Sequence, residues 1–201
     1  KAHQADILIG TQMIGKGLHL PQVSLVGVVL ADLSLTIPDF RSSERTFQIL
    51  TQVAGRAGRE TQNGEVIIQT YVPGNYVIQK AVTHDYESFF DEEMKIRKSF
   101  GYPPFNKLIK LTFISRDAKD CLQKAQKMLN SLESVKKNLN DASLSITSYP
   151  ALISRLQNKY RWHILITGQN PELMLKNLPE DAEKMLRGSE VRIDVDPISV
   201  V

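Results

Sequence analysis

The sequence contains a single cysteine, Cys121, and lacks the two motifs with which most nucleotide hydrolases hold ATP and magnesium. One cysteine excludes an internal disulfide and cannot build a tetrahedral Cys₄ zinc site. There is no GxxxxGK phosphate loop ending in Ser or Thr, and no DExH-like acidic run. The histidines show no metal-ligand spacing: they are His3, His19, His84 and His163. We therefore predict that this chain binds no metal and does not hydrolyse ATP by itself.

The sequence also lacks a signal peptide, a disordered tract and any apolar run long enough to span a bilayer. Its 201 residues are 42% hydrophobic and 23% charged, with a formal net charge of +3. These values are typical of a globular, cytosolic-type protein with one or two domains and no membrane partner. The slight positive charge is compatible with DNA binding without being diagnostic. Because the chain starts at Lys1 rather than Met, we expect it to be a piece of a longer protein.

The first thirty residues read as strand, turn and strand. A short apolar run from residue 6 predicts a strand, and Leu25–Ala31 predicts a second strand that is covered on both faces. Two such strands favour a parallel sheet covered by helices. Between them lies a turn whose glycines, hydroxyl and lysine are suited to phosphate, since glycine lets backbone N–H groups face an anion. Its candidate residues are Gly10, Thr11, Gln12, Gly15 and Lys16.

The segment QVAGRAGR, residues 52–59, is the most informative motif in the chain. Apolar residues at three- and four-residue steps predict an amphipathic helix that starts near residue 43. On that helix Gln52, Arg56 and Arg59 would share one stripe, with Gly55 and Gly58 beside them. A glycine inside a helix costs about 1 kcal/mol relative to alanine, so we interpret the pair as sites of close approach by a ligand or another domain. The alternative is that the arginines offset the helix dipole and the glycines end the helix.

Together these segments resemble a known family. GTQMIGKGLHLP at residues 10–21 and QVAGRAGR resemble motifs V and VI of superfamily 2 helicases. The longer phrase PDFRSSERTFQILTQVAGRAGR, residues 38–59, resembles the PriA family of replication-restart helicases, also called primosomal protein N′. YPPF at 102–105, KYRWHILI at 159–166 and DVDP at 194–197 resemble landmarks of the same family's C-terminal domain. SYPAL at 148–152 departs from the family pattern, in which a glycine is expected before the proline.

The resemblance implies an ATP-driven DNA helicase that moves 3′ to 5′, unwinds DNA at stalled forks and helps to reload the replicative helicase. Its implied partners are forked and single-stranded DNA, the single-strand-binding protein and the primosome proteins, in the bacterial cytoplasm and nucleoid. Its fold implies that residues 1–75 form the C-terminal part of a RecA-like helicase lobe. This chain would then contribute one side of an ATP site whose other side lies on a second lobe.

Carried over residue by residue, the resemblance assigns roles in the ATP site. Arg59 is the candidate arginine finger, Arg56 a second phosphate-facing arginine, and Gln52 an orienting residue, with Gly55 and Gly58 lining the nucleotide. Phosphoryl transfer needs fixed positive charge where negative charge develops, and a guanidinium supplies it in a planar fork.

The turn residues receive a second set of roles. Thr11, Gln12 and Lys16 are candidates for contact with the DNA backbone, and Gly15 and Lys16 for contact with the nucleotide. The sequence leaves open whether Lys16 meets ATP or DNA. The resemblance also implies ATP and magnesium in the longer protein, and zinc bound by cysteines that would precede Lys1.

Beyond residue 75 the pattern changes. Residues 76–104 predict a helical connector, which Gly101 and two consecutive prolines end. Residues 105–201 then read as β, α, β, β, α, β: strands at 107–114, 144–147, 162–167 and 190–195, and helices at 117–139 and 171–186. Asp117 is a possible helix cap, and Cys121 lies on the apolar stripe of the first helix as a small buried side chain. This order predicts an α+β, ferredoxin-like domain with an antiparallel sheet.

Within this domain Lys159, Arg161 and Trp162 are candidates for nucleic-acid binding, in a cluster with Arg155, Tyr160 and His163. Basic and aromatic side chains together hold single strands through phosphate attraction and base stacking. Alternatively, Tyr160 and Trp162 pack on the core as alternate residues of a strand, which would leave Arg161 and His163 on the opposite, exposed face.

Other interpretations stay open at this point. Asp39, Arg41, Glu44 and Arg45 are landmarks of the family, but they are as readily a capping and salt-bridge cluster. The chain is also compatible with a different superfamily 2 repair or recombination helicase, or with a non-enzymatic nucleic-acid-binding module.

Overall fold

The structure is a computed structural model that describes residues 6–11, 23–55 and 64–201. It is a mixed α/β chain that divides into two compact units, Lys1–Met94 and Lys95–Val201. A parallel sheet lies in the first unit and an antiparallel sheet in the second. The predicted fold class, a partial RecA-like lobe followed by a ferredoxin-like domain, is therefore confirmed.

The sheet of the first unit pairs β1 (Leu25–Val28) with β2 (Glu65–Ile68) in parallel. One face is half-buried against the core, whereas the other exposes Leu25 and Ile67 to 54% and 52%. The sequence predicts that the second strand is covered on both faces, but among residues 6–11, 23–55 and 64–201 the helices pack on only one face of this pair. The strand predicted from residue 6 is also absent from residues 6–11, which form no ladder among the described residues.

Helices complete the first unit. A short 3₁₀ helix (Ala31–Thr36) precedes α1 (Ser42–Ala54), and α2 (Tyr76–Val82) and α3 (Tyr86–Phe100) follow the sheet. Their apolar faces meet in one core whose buried members are Ala31, Phe47, Leu50, Val77, Ile78, Ala81 and Phe89. Part of the segment predicted as a connector, up to Met94, thus belongs to the first unit.

Aromatic rings hold that core together. Phe47 and Phe89 stack with their ring centroids 4.2 Å apart, which ties α1 to α3. Beside them Tyr76 donates a hydrogen bond to the buried carboxylate of Glu93, at 2.7 Å. Burial raises the pKa of the Tyr76 hydroxyl, so the phenol stays protonated and keeps donating.

The end of α3 is set by a glycine. Gly101 has a φ of 65°, and its neighbour Tyr102 donates its backbone N–H to the carbonyl of Arg97 at 2.8 Å. This is a Schellman-type ending, in which the left-handed residue is nearly always glycine. A Cβ at this position would lie 2.7 Å from Nδ2 of Asn106, so the Asn106 side chain would have to shift, and the positive φ disfavours any other residue here. The predicted chain break at Gly101 is confirmed.

The second unit contains four strands: β3 (Lys107–Ser115), β4 (Ser145–Leu156), β5 (Lys159–Gly168) and β6 (Val191–Val195). Their order across the sheet is β4, β5, β3, β6, and every neighbouring pair is antiparallel. This is the strand order of the ferredoxin-like fold. Strands β4 and β5 are longer than predicted, and they take in residues 148–152.

Three helices connect the strands of this sheet: α4 (Ala118–Leu139), α5 (Glu172–Lys176) and α6 (Glu180–Leu186). Asp117 caps α4 as predicted, because its carboxylate accepts the backbone N–H of Asp120 at 2.8 Å. The single helix predicted at 171–186 is wrong. Pro179 adopts an extended ψ of 154° and divides the segment into two short helices.

The inner face of the sheet packs against α4 around an apolar core that includes Phe113, Met128, Leu132 and Ile164. Cys121 lies in this core, 3% exposed, which confirms the expectation of a small buried side chain. Burial raises the pKa of its thiol, so the reactive thiolate is disfavoured.

The outer face of the sheet is covered by the residues that follow β6. Asp196 donates its backbone N–H to the carbonyl of Leu108 at 2.8 Å, Lys110 donates to the carbonyl of Ser199, and Tyr149 donates to the carbonyl of Val200. These partners lie on β3 and β4, so the segment crosses the sheet from one side to the other. We call residues 196–201 the cover segment.

Replacing Leu132 with alanine tests the inner core. Leu132 is fully buried, and deleting its side chain should lower the free energy of unfolding by about 2 to 5 kcal/mol. Leu122→Ala is the matched control on the same helix, since Leu122 is 44% exposed and should cost much less. Denaturation followed by the fluorescence of Trp162, the one tryptophan, measures both. Equal losses would contradict this packing.

Candidate functional site

The residues predicted for the nucleotide site fall partly on α1. Gln52 is exposed on its last turn, and Gly55 follows the final helical residue as the C-cap. Gly55 is therefore not in a helix interior, and its φ of −67° is one that any residue adopts. Thr11 is exposed at the end of the segment 6–11. The other predicted residues lie outside the described part of the chain: Gln12, Gly15, Lys16, Arg56, Gly58 and Arg59.

A charged cluster fixes the start of α1. The side chain of Asp39 is fully buried and accepts the backbone N–H of Arg41 at 2.9 Å. Arg41 pairs with Glu44 at 3.1 Å, and Arg45 approaches Asp39 at 3.9 Å. These contacts match the capping and salt-bridge interpretation of the cluster. Their effect is to hold the helix that presents Gln52.

A second candidate site is the hairpin of β4 and β5. Leu156 pairs with Lys159, and the two residues between them, Gln157 and Asn158, have φ values of 51° and 59°. Two successive left-handed residues form the tight turn whose twist matches a hairpin. The hairpin tip carries exposed Arg155 and Lys159, with Leu156 48% exposed beside them.

Below the tip, β4 bulges away from its partner. Its pairing with β5 is lost between Pro150 and Arg155, and the loosened residues include Leu152 and Ile153, which are 60% and 58% exposed. Arg161 on β5 braces the bulge by donating from Nη2 to the carbonyl of Ile153 at 2.7 Å. Its Nε is buried and without a hydrogen-bond partner. The bulge therefore presents apolar side chains next to a guanidinium.

The aromatic residues of β5 face the other way. Trp162 is half-buried against the inner core, and its indole N–H donates to Oγ of Ser148 at 2.7 Å. Tyr160 also packs on that core, and the guanidinium of Arg155 lies 5.5 Å from the centre of its ring. This is the alternation that the core-packing interpretation describes for both residues. The role of Trp162 in nucleic-acid binding stays a prediction.

Positive charge is concentrated around this hairpin. The second unit holds 18 of the chain's 25 Lys and Arg but only 11 of its 22 Asp and Glu. Strand direction brings six of these cations to the hairpin end of the sheet: Arg116, Lys119, Arg155, Lys159, Arg161 and Arg192. The carboxylates at the same end are Asp117, Asp120 and Glu190, and the last two pair with Lys124. Sequence analysis named only the three on β4 and β5. The others follow from the register of the sheet, which no local motif encodes.

His163 is buried, contrary to the expectation that it lies on an exposed face. It is 4% exposed, and its Nδ1 shares a hydrogen bond of 3.0 Å with Oγ1 of Thr112. Burial lowers the pKa of His163 from 6.5 to about 4, and the positive charges of Lys110 and Arg161 act in the same direction, against the carboxylate of Asp194. The imidazole is therefore neutral at physiological pH.

A metal site requires a cluster of ligand side chains, and a membrane-spanning helix requires a long apolar stretch. Across residues 6–11, 23–55 and 64–201, no three His, Cys, Asp or Glu side chains gather closely enough to hold a metal ion. Within the same ranges every helix is too short or too polar to cross a membrane.

The burial of His163 predicts a pH dependence of stability. Between pH 6.5 and about 4 the unfolded chain binds a proton at this imidazole and the folded chain does not, so the free energy of unfolding falls as the pH falls. The loss should reach about 3 kcal/mol near pH 4. Chemical denaturation across this range measures it. His163→Gln should flatten the decline, whereas replacing the exposed His84 should not; parallel curves for His163→Gln and wild type would refute the assignment.

Comparison with known proteins identifies the family. A family model described as the primosomal protein N C-terminal domain matches residues 98–198. The replication restart proteins PriA of Bacillus subtilis and Synechocystis sp. are each 42% identical to this chain, over 96% and 98% of its length. That of Chlamydia muridarum is 40% identical over 98%. The chain spans only 24%, 23% and 26% of these relatives. It belongs to the PriA family of replication restart proteins and contains the family's C-terminal domain.

Proposed function

We propose that this chain is the C-terminal part of an ATP-dependent DNA helicase that moves 3′ to 5′ and restarts stalled replication forks. Membership of the PriA family supports a role in replication restart, since the relatives carry that name. The helicase activity is supported by the motif V and VI resemblances at residues 10–21 and 52–59. The longer protein would supply the phosphate loop, the magnesium motif and the zinc-binding cysteines.

In this proposal Arg59 completes the ATP site from one side, with Arg56 beside it and Gln52 orienting the site. The transferred phosphoryl group spreads negative charge over three oxygens in the transition state, and a permanently charged guanidinium placed there lowers the barrier. Lysine is a poorer substitute because it presents a point charge rather than a planar fork. Lys16, Thr11 and Gln12 would couple the nucleotide to the DNA strand, with Gly15, Gly55 and Gly58 allowing close approach.

The hairpin end of the second unit would hold single-stranded DNA. The observation that carries this step is the group of cations at one end of the sheet, next to the exposed Leu152 and Ile153. Lys159 and Arg161 can bind phosphates, while the apolar side chains can contact bases. Trp162 would stabilise β5, which carries Lys159 and Arg161, by packing on the core. The single-strand-binding protein and the primosome proteins are the further partners that we propose.

The arginine assignment is tested in the full-length helicase. Arg59→Ala should reduce DNA-stimulated ATP turnover by roughly 10³-fold or more while DNA affinity changes little, because the charge acts on the transition state. Arg59→Lys should recover only part of the rate. Steady-state ATPase assays with saturating single-stranded DNA measure both. Full turnover by Arg59→Ala would contradict the arginine finger.

The hairpin assignment is tested by the paired replacement of Lys159 and Arg161 with glutamine. Affinity for a single-stranded oligonucleotide should fall, and the slope of log K against log salt should become shallower by about 1.4 for two lost phosphate contacts. Replacing Lys127 and Lys137, exposed on α4, removes the same charge elsewhere and should change the slope much less. Fluorescence anisotropy at several salt concentrations measures this. Equal effects of the two pairs would favour a purely structural role for the hairpin.

A further inference from the structure

The outer face of the second-unit sheet is buried and mixes apolar with polar side chains. Leu108 and Leu165 are the apolar members, at 0% and 7% exposure. Lys110, Thr112 and Thr167 are each no more than 8% exposed, and His163 lies among them at 4%. Asp194 is paired with Lys110 on the same face. Burying polar groups costs free energy even when they are hydrogen-bonded, so four such side chains on two central strands are more than a folding core needs.

Only the cover segment makes this face inaccessible. It has no helix or strand, and Ile198 at its centre is 71% exposed. It is held by the buried side chains of Pro197 and Val200 and by hydrogen bonds to its backbone. Such a segment has few of the apolar contacts that resist local opening.

The donors that hold the cover segment are suited to a different acceptor. The ammonium of Lys110 donates to the neutral carbonyl of Ser199, and the hydroxyl of Tyr149 donates to that of Val200, both at 2.7 Å. The bond that Lys110 makes to the carbonyl is charged on the donor side only, whereas a phosphate oxygen carries the opposite charge and adds Coulomb attraction. A phosphate in place of the Ser199 carbonyl would therefore satisfy Lys110 better than the cover segment does.

Two rings lie beside these donors. Tyr149 and His163 are directly paired across β4 and β5, with centroids 5.6 Å apart at an angle of 61°. Arg161 and Arg192 flank them in the same sheet face, since Arg192 pairs with Thr112 and Arg161 lies two residues before His163. His163 is on the central strand β5 and Tyr149 on the edge strand β4. Rings on a sheet face, bordered by cations, are a means by which sheet proteins bind single-stranded nucleic acid.

We propose that the outer face, defined by Lys110, Tyr149, His163 and Arg192, is a second binding surface for single-stranded DNA, and that the cover segment competes with DNA for it. The inference rests on the DNA-binding function proposed above and adds to it a surface distinct from the hairpin tip. While the cover segment is in place, the apparent affinity of the face is reduced by the fraction of molecules in which it is open.

The test is to dislodge the cover segment with Val200→Asp. Val200 is 5% exposed, so a carboxylate there cannot remain buried without a partner. Affinity for a fluorescein-labelled oligo(dT) of about 16 nucleotides should increase about tenfold in anisotropy titrations, as expected if roughly one molecule in ten is open in the wild type. The added negative charge alone would weaken binding, so a gain cannot come from simple electrostatics.

Ile198→Asp is the matched control. It places the same charge on the same segment at a 71% exposed position, where it should leave the cover segment in place and give no gain in affinity. Adding Lys110→Gln to Val200→Asp should remove most of the gain. A gain shown equally by Ile198→Asp, or one that survives Lys110→Gln, would overturn the proposal.

Tyr149→Phe provides a test that does not depend on Val200→Asp folding. It removes only the hydrogen bond to the Val200 carbonyl, and one such bond corresponds to a gain of about two- to fivefold in the open fraction. Melting followed by Trp162 fluorescence establishes that each variant is folded. No gain from a folded Tyr149→Phe and a folded Val200→Asp would refute the inference. Dimerisation of these variants without a gain in DNA affinity would also refute it, because the cover segment would then exchange between two copies of the chain.

The hairpin variant keeps the two proposals distinguishable. In the Lys159→Gln, Arg161→Gln background, Val200→Asp should still increase affinity relative to its own parent, since Lys110 and Tyr149 remain. If hairpin replacement has no effect but the Val200→Asp gain persists and requires Lys110, the hairpin proposal fails and the outer face stands. If hairpin replacement weakens binding and Val200→Asp gives no gain, the outer face fails and the hairpin stands.

Discussion

The central strand β3 is buried on both faces, and the organisation of the second unit follows from that constraint. Its edges are taken by β5 and β6, so its backbone groups are paired on both sides. Its inner face is apolar and packs on α4, while its outer face carries Leu108 and Ile114 beside Lys110 and Thr112, and Lys110 is held by the cover segment. With both faces of β3 covered, exposed side chains can come only from the ends and outer edges of the sheet. That is where the β4–β5 hairpin places its cations and apolar residues.

The local pattern was sufficient to predict the elements of this unit but not their ends. Alternation identified β3, and an apolar stripe with Asp117 before it identified α4, because each signal depends only on neighbours in sequence. The sequence does not indicate the hairpin because its turn, Gln157 and Asn158, contains no glycine. Pro179 did carry a signal against one continuous helix at 171–186. The apolar periodicity of that segment favoured the wrong interpretation.

The residues predicted for the ATP site show the limit of an argument from helix propensity. A glycine costs about 1 kcal/mol only inside a helix, and Gly55 lies just beyond the last helical residue of α1. The cost of a glycine inside a helix therefore does not arise at Gly55, so this residue gives no independent support for a ligand. The arginine roles therefore rest on the motif resemblance and on the chemistry of phosphoryl transfer. Likewise, apolar residues in β1 predict burial but cannot specify which surface provides it: in the described residues, one face of the strand remains open.

His163 shows that the sheet face on which a residue lies and the exposure of that residue are separate properties, which the sequence analysis treated as one. The period of two correctly placed Arg161 and His163 on the face opposite Trp162. Exposure is a tertiary property, and it depends here on the cover segment, more than thirty residues further along the chain. The same strand thus carries an open cation at Lys159 and a covered imidazole at His163. At about 3.4 Å per residue, Lys159 to Leu165 spans about 20 Å, which is long enough for a single strand to contact several side chains in succession. DNA can contact all of these side chains only when the cover segment detaches. In this proposal, access to the outer face and the ordering of residues 196–201 are therefore governed by the same equilibrium.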